Sequence, residues 1–177
     1  KTVLNIDVGG GTIKLGLCHG GKLLGTAAFA VGGRLIAFDD DGAMNRIEGP
    51  AEQIAKDLGI TLKLGEKLSD EDRKAIVKRM VEVIVAYANR VPDDALCKAL
   101  SLTDALPTEP AIDALTFSGG VSEYIYDRET EDRGDLGKAL AHELRHALTH
   151  KRIALPVYDP GQGIRATVVG ASQFTVQ

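Results

Sequence analysis

Two strands and the glycine turn between them lie near the beginning of the sequence, in Leu4-Asn5-Ile6-Asp7-Val8-Gly9-Gly10-Gly11-Thr12-Ile13. Apolar and polar side chains alternate before the turn, as in a strand with one buried face, so we expect Asp7 to point away from the core. The alternation resumes after the turn through Ile13, Leu15 and Leu17. The stretch therefore predicts a hairpin closed by a glycine turn.

The following residues continue the strand pattern and then change to a helical one. Residues 22–31 and 35–38 predict further strands, so the first forty residues indicate an antiparallel meander. An acidic loop is expected over 39–49, followed by a short helix from Pro50 to Gly59. The widest apolar stripe predicts a helix over about 70–89, and Ser69 with Asp72 three residues later is typical of a capping box.

The second half alternates strands and helices. An apolar run at 114–117, a helix at 135–150 and strands at 153–158 and 164–169 follow a segment, 91–110, that we interpret as a surface excursion without assigned structure. A meander followed by β-α-β segments predicts an α/β fold with a mixed sheet and flanking helices.

Length and composition limit the possible function classes. The chain has 177 residues, 44% hydrophobic and 26% charged, which is typical of one globular domain. A formal net charge of −4 supplies no basic field for nucleic acid, and no apolar run reaches the length of a membrane span. Cys18 and Cys97 form no C-x-x-C pair, which favours reduced thiols and a cytoplasmic protein.

The first glycine turn has residues suited to phosphate. Three glycines let successive main-chain N–H groups of Gly9, Gly10 and Gly11 approach phosphate oxygens, and Thr12 adds a hydroxyl group. Asp7, just before the turn, suits the water shell of a Mg²⁺ ion that accompanies phosphates. The alternative is an ordinary glycine hairpin. A Walker A loop is excluded, because it needs Gly-Lys-Ser/Thr at the start of a helix.

A second glycine pair follows the apolar run at 114–117. Gly119 and Gly120, with Ser122 two residues later, would let a flat adenine ring or a ribose approach the main chain closely. The alternative is a turn that simply ends a strand. By itself this motif indicates a nucleotide site less specifically than the first one does.

The two motifs in this order resemble those of the actin-like (ribonuclease H-like) ATPase superfamily. Residues 7–12 are similar to its second phosphate motif, 117–122 to its adenosine motif and 166–171 to the hinge segment that follows. Within this superfamily, the sequence most resembles the ethanolamine ammonia-lyase reactivating factor (EutA) family, in the segments 7–16, 31–36, 116–123 and 164–171. The likeness covers most of the chain and indicates its second, C-terminal lobe.

This resemblance implies an ATP-dependent molecular chaperone that releases damaged cobalamin from inactivated ethanolamine ammonia-lyase, its partner. Gly9, Gly10, Gly11 and Thr12 would bind the phosphates of ATP or ADP, Asp7 would hold hydrated Mg²⁺, and Gly119, Gly120 and Ser122 would bound the adenosine pocket. Cobalamin would not serve as a catalytic cofactor.

The resemblance also implies a division of the nucleotide site between two lobes. The family's first phosphate motif has no counterpart here, so residues 1–177 would be one lobe with a helical insertion at about 42–112. The N-terminal lobe of the same chain would be missing. ATPase activity would belong to the full-length parent, with no catalytic residue and negligible hydrolysis in this fragment. Chaperone relatives often stack an arginine on adenine shortly after the glycine pair, where this sequence has Glu123.

Other functions stay open on the sequence alone. One is an actin-like sugar or acyl kinase lobe, and another is a non-catalytic, nucleotide-responsive assembly protein. A remote one is a zinc peptidase, because His142-Glu143-Leu144-Arg145-His146 matches H-E-x-x-H. On a helical wheel these histidines lie opposite the apolar stripe, so we interpret them as solvated.

Two charged positions have simpler interpretations. Asp39-Asp40-Asp41-Gly42 lacks the spacing of an EF-hand and predicts a solvated acidic turn. Arg34, beside Gly32 and Gly33, suits a phosphate or a carboxylate partner, and a surface salt bridge is the expected outcome.

Overall fold

The structure is a computed structural model that describes residues 1–159. Its strands and helices follow one another as β1 (Thr2–Val8), β2 (Ile13–His19), β3 (Lys22–Phe29), β4 (Ile36–Phe38), β5 (Met44–Ile47), α1 (Gly49–Asp57), α2 (Asp70–Ala88), α3 (Ala95–Leu100), β6 (Ala114–Ser118), α4 (Ser122–Ile125), α5 (Gly137–Thr149) and β7 (Val157–Tyr158). The predicted strand at 164–169 and the hinge segment at 166–171 lie outside the described residues.

The main sheet has five strands in the order β3-β2-β1-β6-β7. β1 pairs antiparallel with β2, and β2 with β3, whereas β6 runs parallel to β1 and β7 parallel to β6. This confirms the predicted α/β fold with an initial antiparallel meander.

The core is formed by alternate residues of the strands and by the apolar faces of the helices. Leu4, Ile6 and Val8 of β1 are fully buried, whereas Asp7 is half-buried on the other face, as predicted. Helix α2 packs against α5. The predicted start of α2 is confirmed, because the Ser69 hydroxyl accepts a hydrogen bond from the Asp72 N–H at 3.1 Å.

The region around 36–47 differs from the prediction in two ways. β4 does not extend the meander, because it pairs with β5 in a separate two-stranded sheet. The loop expected over 39–49 was wrong for its second half, which contains β5. Met44 of β5 exchanges main-chain hydrogen bonds with Gly65 and Glu66, about twenty residues further on, and local periodicity cannot show such pairing. The acidic turn before β5 is exposed.

The segment 91–110 is not merely a surface excursion. It contains α3, whose first turn is capped by Asp94 accepting from the Cys97 N–H at 2.7 Å. Leu96, Cys97 and Leu100 are buried, so the helix contributes to the core. Burial raises the pKa of the Cys97 thiol to about 12, so this cysteine stays protonated in the core at neutral pH.

The strand predicted at 153–158 is shorter than expected. Only Val157–Tyr158 forms β7, rather than the whole of 153–158. Among residues 1–159, no helix has both the length and the apolar character needed to cross a membrane.

Candidate functional site

The β1–β2 turn is the centre of the candidate site. The Gly9 N–H donates to the Thr12 carbonyl at 3.1 Å and closes the turn. The turn projects beyond the end of β1, so Gly10 and Gly11 are exposed while Gly9 and Thr12 are half-buried. The predicted glycine hairpin is therefore present, with two of its glycines accessible to a ligand.

The loop between β3 and β4 is bonded to this turn through the main chain. The Gly33 N–H donates to the Gly9 carbonyl at 3.0 Å, and the Arg34 N–H to the Gly10 carbonyl at 2.8 Å. A Cβ on Gly32 would clash with the Gly10 carbonyl, so only glycine permits this approach. Within residues 1–159 these bonds occupy the Gly9 and Gly10 carbonyl groups, whereas the Gly10 and Gly11 N–H groups have no protein acceptor.

The second glycine motif lies directly beside the first one. β6 is the parallel neighbour of β1, with Ser118 opposite Asp7, so the turns after the two strands meet at one sheet edge. Gly119 has φ +86°, and a Cβ there would clash with the Val8 carbonyl and lie 2.6 Å from Asp7 Oδ1. The structure thus brings into contact two motifs that are about a hundred residues apart in sequence.

A cleft of about 320 Å³ opens between these segments. Its lining residues are Gly9, Gly10, Gly33, Arg34, Gly120, Val121, Glu123, Tyr124, Glu129, Arg133, Asp135 and Gly137. Small-molecule sites usually measure about 300–1,000 Å³, so the cleft has room for a small ligand or for part of a larger one.

The predicted site residues take different positions relative to this cleft. Gly9, Gly10 and Gly120 line it, and Gly11 lines a neighbouring cavity of about 280 Å³. Asp7 and Gly119 lie against each other behind the lining, and Thr12 is half-buried at the end of the turn.

Ser122 has a structural role that the sequence did not indicate. Its side chain is buried, and its hydroxyl donates to the Gly119 carbonyl at 2.6 Å. It therefore shapes the turn that carries Gly119 and Gly120 and does not line the cleft.

Several lining residues were missed by the sequence reasoning. The missed residues lie between the end of β6 and the first residue of α5, a stretch with no motif that would single them out: Tyr124, Glu129, Arg133, Asp135 and Gly137. Asp135 is buried and is ion-paired with Arg34 at 2.9 Å. The salt bridge expected for Arg34 is thus confirmed, although its carboxylate is buried rather than on the surface.

The charged groups at the other end of the cleft are paired with each other. Glu123 bonds Arg128 at 2.7 Å, and Glu129 bonds Arg133 at 2.7 Å. The hydrogen bond from Arg133 lowers the pKa of Glu129. Burial, together with the nearby carboxylates Asp135 and Glu129, raises the pKa of Tyr124. The lowered pKa keeps Glu129 ionised at neutral pH, and the raised pKa keeps Tyr124 neutral.

The two histidines of the H-E-x-x-H match lie on the exposed face of α5. His142 and His146 are exposed, whereas Leu140, Leu144 and Ala147 of the same helix are buried. The His146 ring packs on the His150 ring with centroids 4.1 Å apart. The exposure of His142 and His146 confirms the predicted solvated face. Among residues 1–159 no group of three or more His, Cys, Asp or Glu side chains is placed to hold a metal ion.

The sheet order and the two adjacent glycine turns together define a mixed α/β domain with a cleft at one end of its sheet. The family model described as "Ethanolamine utilisation protein EutA" matches residues 1–177. The chain belongs to the EutA family.

Two relatives carry the same family name. The chain is 34% identical over 178 residues to the ethanolamine ammonia-lyase reactivase EutA of Escherichia coli (strain K12) and 33% identical to that of Salmonella typhimurium (strain LT2). Each alignment covers 98% of this chain and 37% of the relative, so the chain spans little more than a third of their length.

A solved structure shows a looser likeness. The (R)-2-hydroxyglutaryl-CoA dehydratase component A of Acidaminococcus fermentans is similar with a TM-score of 0.38 and 12% identity. The match covers 98% of this chain and 62% of that one.

Proposed function

We propose that the protein containing this chain is an ATP-dependent chaperone that reactivates ethanolamine ammonia-lyase by releasing damaged cobalamin. Membership in the EutA family supports the link to ethanolamine utilisation. The names of the two relatives supply the reactivase role. The lyase is the proposed partner, cobalamin is cargo rather than a catalytic cofactor, and the cytoplasm is the proposed location.

The observation that carries the nucleotide part of this proposal is the pair of exposed glycines in the β1–β2 turn whose N–H groups have no protein acceptor among residues 1–159. Gly10 and Gly11 are exposed, and their N–H groups have no acceptor in residues 1–159. The Gly9 and Gly10 carbonyl groups accept from the Gly33 and Arg34 N–H groups, which fixes the turn. Successive N–H groups on one side of a turn form an anion-binding concavity. A phosphate group fits this donor set.

The remaining proposed ligands follow from their places around the turn. Thr12 would add its hydroxyl to the phosphate contacts, and Asp7, at the end of β1, would hold hydrated Mg²⁺. Gly120 would let the adenosine approach the main chain, with Gly119 and Ser122 shaping that turn. Bound nucleotide would favour one arrangement of two lobes over another, which is how ATP shifts a conformational equilibrium.

The proposed lobe organisation assigns half of the nucleotide site to this chain. Residues 1–177 would form one actin-like lobe, with the helical insertion at about 42–112, and the other lobe would belong to the N-terminal part of the same protein. The separate 177-residue chain is then expected to bind Mg·ATP weakly and to hydrolyse it negligibly. Turnover equal to that of the full-length protein would contradict the division of the site.

The test measures release of tightly bound cyanocobalamin from inhibited ethanolamine ammonia-lyase by the full-length protein, with and without Mg·ATP. We expect release only with the nucleotide and its loss in Asp7→Ala. Asp40→Ala is the matched control, because Asp40 is an exposed acid of the turn before β5 and does not line the cleft. Equal release without nucleotide would overturn ATP dependence, and ATP consumption without release would overturn the client.

A further inference from the structure

The side chain of Arg34 lies across the β1–β2 turn. An ideal Cβ on Gly10 would lie 3.4 Å from Arg34 Cβ and 3.7 Å from its Cγ and Cδ, so the aliphatic stem packs over the Gly10 Cα. The main chain of Arg34 is fixed to the same turn by the hydrogen bond from its N–H to the Gly10 carbonyl at 2.8 Å. The main chain and the aliphatic stem of Arg34 are thus both held against the turn that has the unpaired N–H groups.

The guanidinium group is held in place by Asp135. Arg34 Nη1 donates to Asp135 Oδ2 at 2.9 Å, and the other carboxylate oxygen accepts from the Gly137 N–H at 2.7 Å. The Asp135 side chain is only 10% exposed, whereas that of Arg34 is 47% exposed. A buried carboxylate therefore holds a guanidinium group that still faces the solvent.

The position of Asp135 leaves positive charge available at Arg34. Gly137 is the first residue of α5, so the carboxylate lies at the N-terminus of a thirteen-residue helix. A helix N-terminus stabilises negative charge, and Asp135 is therefore partly compensated without Arg34. A guanidinium group has five N–H donors, and the structure assigns one of them to Asp135, so the others can bind further acceptors.

Arg34 also stands between the two cavities beside the turn. It lines the 320 Å³ cleft together with Gly10 and Gly120, and it lines the 280 Å³ cavity together with Gly10 and Gly11. A ligand that reaches the Gly10 and Gly11 N–H groups from either cavity meets this guanidinium group.

We propose that Arg34 is a phosphate-binding residue of the nucleotide site and that Asp135 is its positioning residue. The proposal rests on the proposed function, because it takes the nucleotide site from there and adds how the phosphates are recognised. Guanidinium groups bind phosphate oxygens through paired, charge-assisted hydrogen bonds. Arg34 would therefore favour nucleoside di- and triphosphates over the nucleoside.

The test compares ADP with adenosine by calorimetric titration of the full-length protein. Arg34→Ala is expected to weaken ADP binding by roughly tenfold or more, since hydrogen bonds to charged groups are strong, and to leave adenosine binding within about twofold. Arg34→Lys keeps the positive charge but loses the paired N–H donors of the guanidinium group. Its ADP affinity should lie between that of the parent and that of Arg34→Ala. Arg145→Ala is the matched control, because Arg145 is 51% exposed and bonds Asp127 at 2.7 Å on the outer face of α5.

Asp135→Asn separates positioning from a general loss of structure. It should weaken ADP binding and leave adenosine binding unchanged, and it should have no further effect in a protein that already carries Arg34→Ala. An Asp135→Asn effect of equal size in both backgrounds would overturn the positioning role.

Two negative outcomes are distinguishable. ADP affinity within about twofold of the parent in both Arg34→Ala and Arg34→Lys would overturn the assignment of Arg34 while leaving the proposed nucleotide site intact. A parent protein that binds neither ADP nor ATP would overturn the nucleotide site and this assignment together.

Discussion

Around the cleft, segments meet mainly through main-chain atoms, whereas α2 and α5 meet through buried apolar side chains. The β1–β2 turn, the loop before β4 and the turn after β6 approach so closely that glycine is required at Gly32 and Gly119. Helix α2 instead buries a broad set of large side chains, among them Ile76, Met80 and Ile84.

This difference teaches where each region is sensitive to substitution. Where the backbones touch, an added methyl group has no room, so the cleft is damaged by larger residues. Where side chains fill the space, a removed group leaves a cavity, so the helical core is damaged by smaller residues. Both kinds of damage are measurable as a change in the free energy of unfolding.

The largest effect is expected in the helical core, for Met80→Ala. Met80 is fully buried, so its truncation removes apolar burial and leaves a cavity, which lowers the free energy of unfolding by about 2–5 kcal/mol. Urea unfolding of the 177-residue chain measures the change. Lys78→Ala, at an exposed position of the same helix, should change it by no more than about 0.5 kcal/mol. Equal losses in the two variants would contradict the comparison.

The next effect belongs to the cleft, where Gly119→Ala is compared with Gly120→Ala. Gly119 has φ +86° and no room for a Cβ, so alanine there is expected to destabilise the chain by about 1–3 kcal/mol. A Cβ on Gly120 meets no atom within 4 Å, and its substitution should cost less than about 0.5 kcal/mol. If the two neighbours responded alike, the close approach of the turns would not be the cause.

The sequence predicted the parts of the fold that depend on local patterns. Alternation around the glycine turn located β1 and β2, and the apolar stripe behind Ser69 located α2 to within a residue or two. β5 and α4 were missed because each has only four residues, too few to establish a period. Their stability depends on pairing and packing with distant segments.

The candidate site was predicted only where it follows from glycine motifs. That the two motifs meet could be inferred through the family resemblance. The hydrogen bonds from Gly33 and Arg34 to the first turn could not be inferred. They join main-chain atoms, so the side chains of the sequence do not indicate them. Asp135 was missed for a similar reason, since its partner Arg34 lies 101 residues away.

Tyr126→Phe is expected to lower the free energy of unfolding by a smaller amount. The Tyr126 side chain joins the segment after α4 to strands β6 and β7. The Tyr126 hydroxyl accepts from the Phe117 N–H at 2.8 Å and donates to the Tyr158 carbonyl at 2.7 Å. Removing it leaves both main-chain groups without this partner, and we expect a loss of about 1–2 kcal/mol at neutral pH.

Tyr126 also makes the free energy of unfolding depend on pH in the alkaline range. Burial raises the pKa of Tyr126 from 10.0 to about 12, so the folded state holds the phenol proton more tightly than the unfolded state. Its contribution is complete below pH 10 and is lost as the pH rises through 12. Unfolding measured at pH 8 and at pH 11 should show a smaller alkaline loss in Tyr126→Phe than in the parent. An unchanged loss would assign the alkaline sensitivity to other groups.

The smallest effects compare two serines at helix starts, the exposed Ser69 before α2 and the buried Ser122 at the start of α4, next to the cleft. Ser69 accepts from the Asp72 N–H, so Ser69→Ala removes a cap and should cost about 1 kcal/mol. The Ser122 hydroxyl donates to the Gly119 carbonyl, which also accepts from the Ser122 N–H at 3.1 Å. Because the main-chain bond remains in Ser122→Ala, we expect a loss under about 0.5 kcal/mol. A larger loss at Ser122 than at Ser69, by urea unfolding of both variants, would show that the cleft also depends on side-chain bonds.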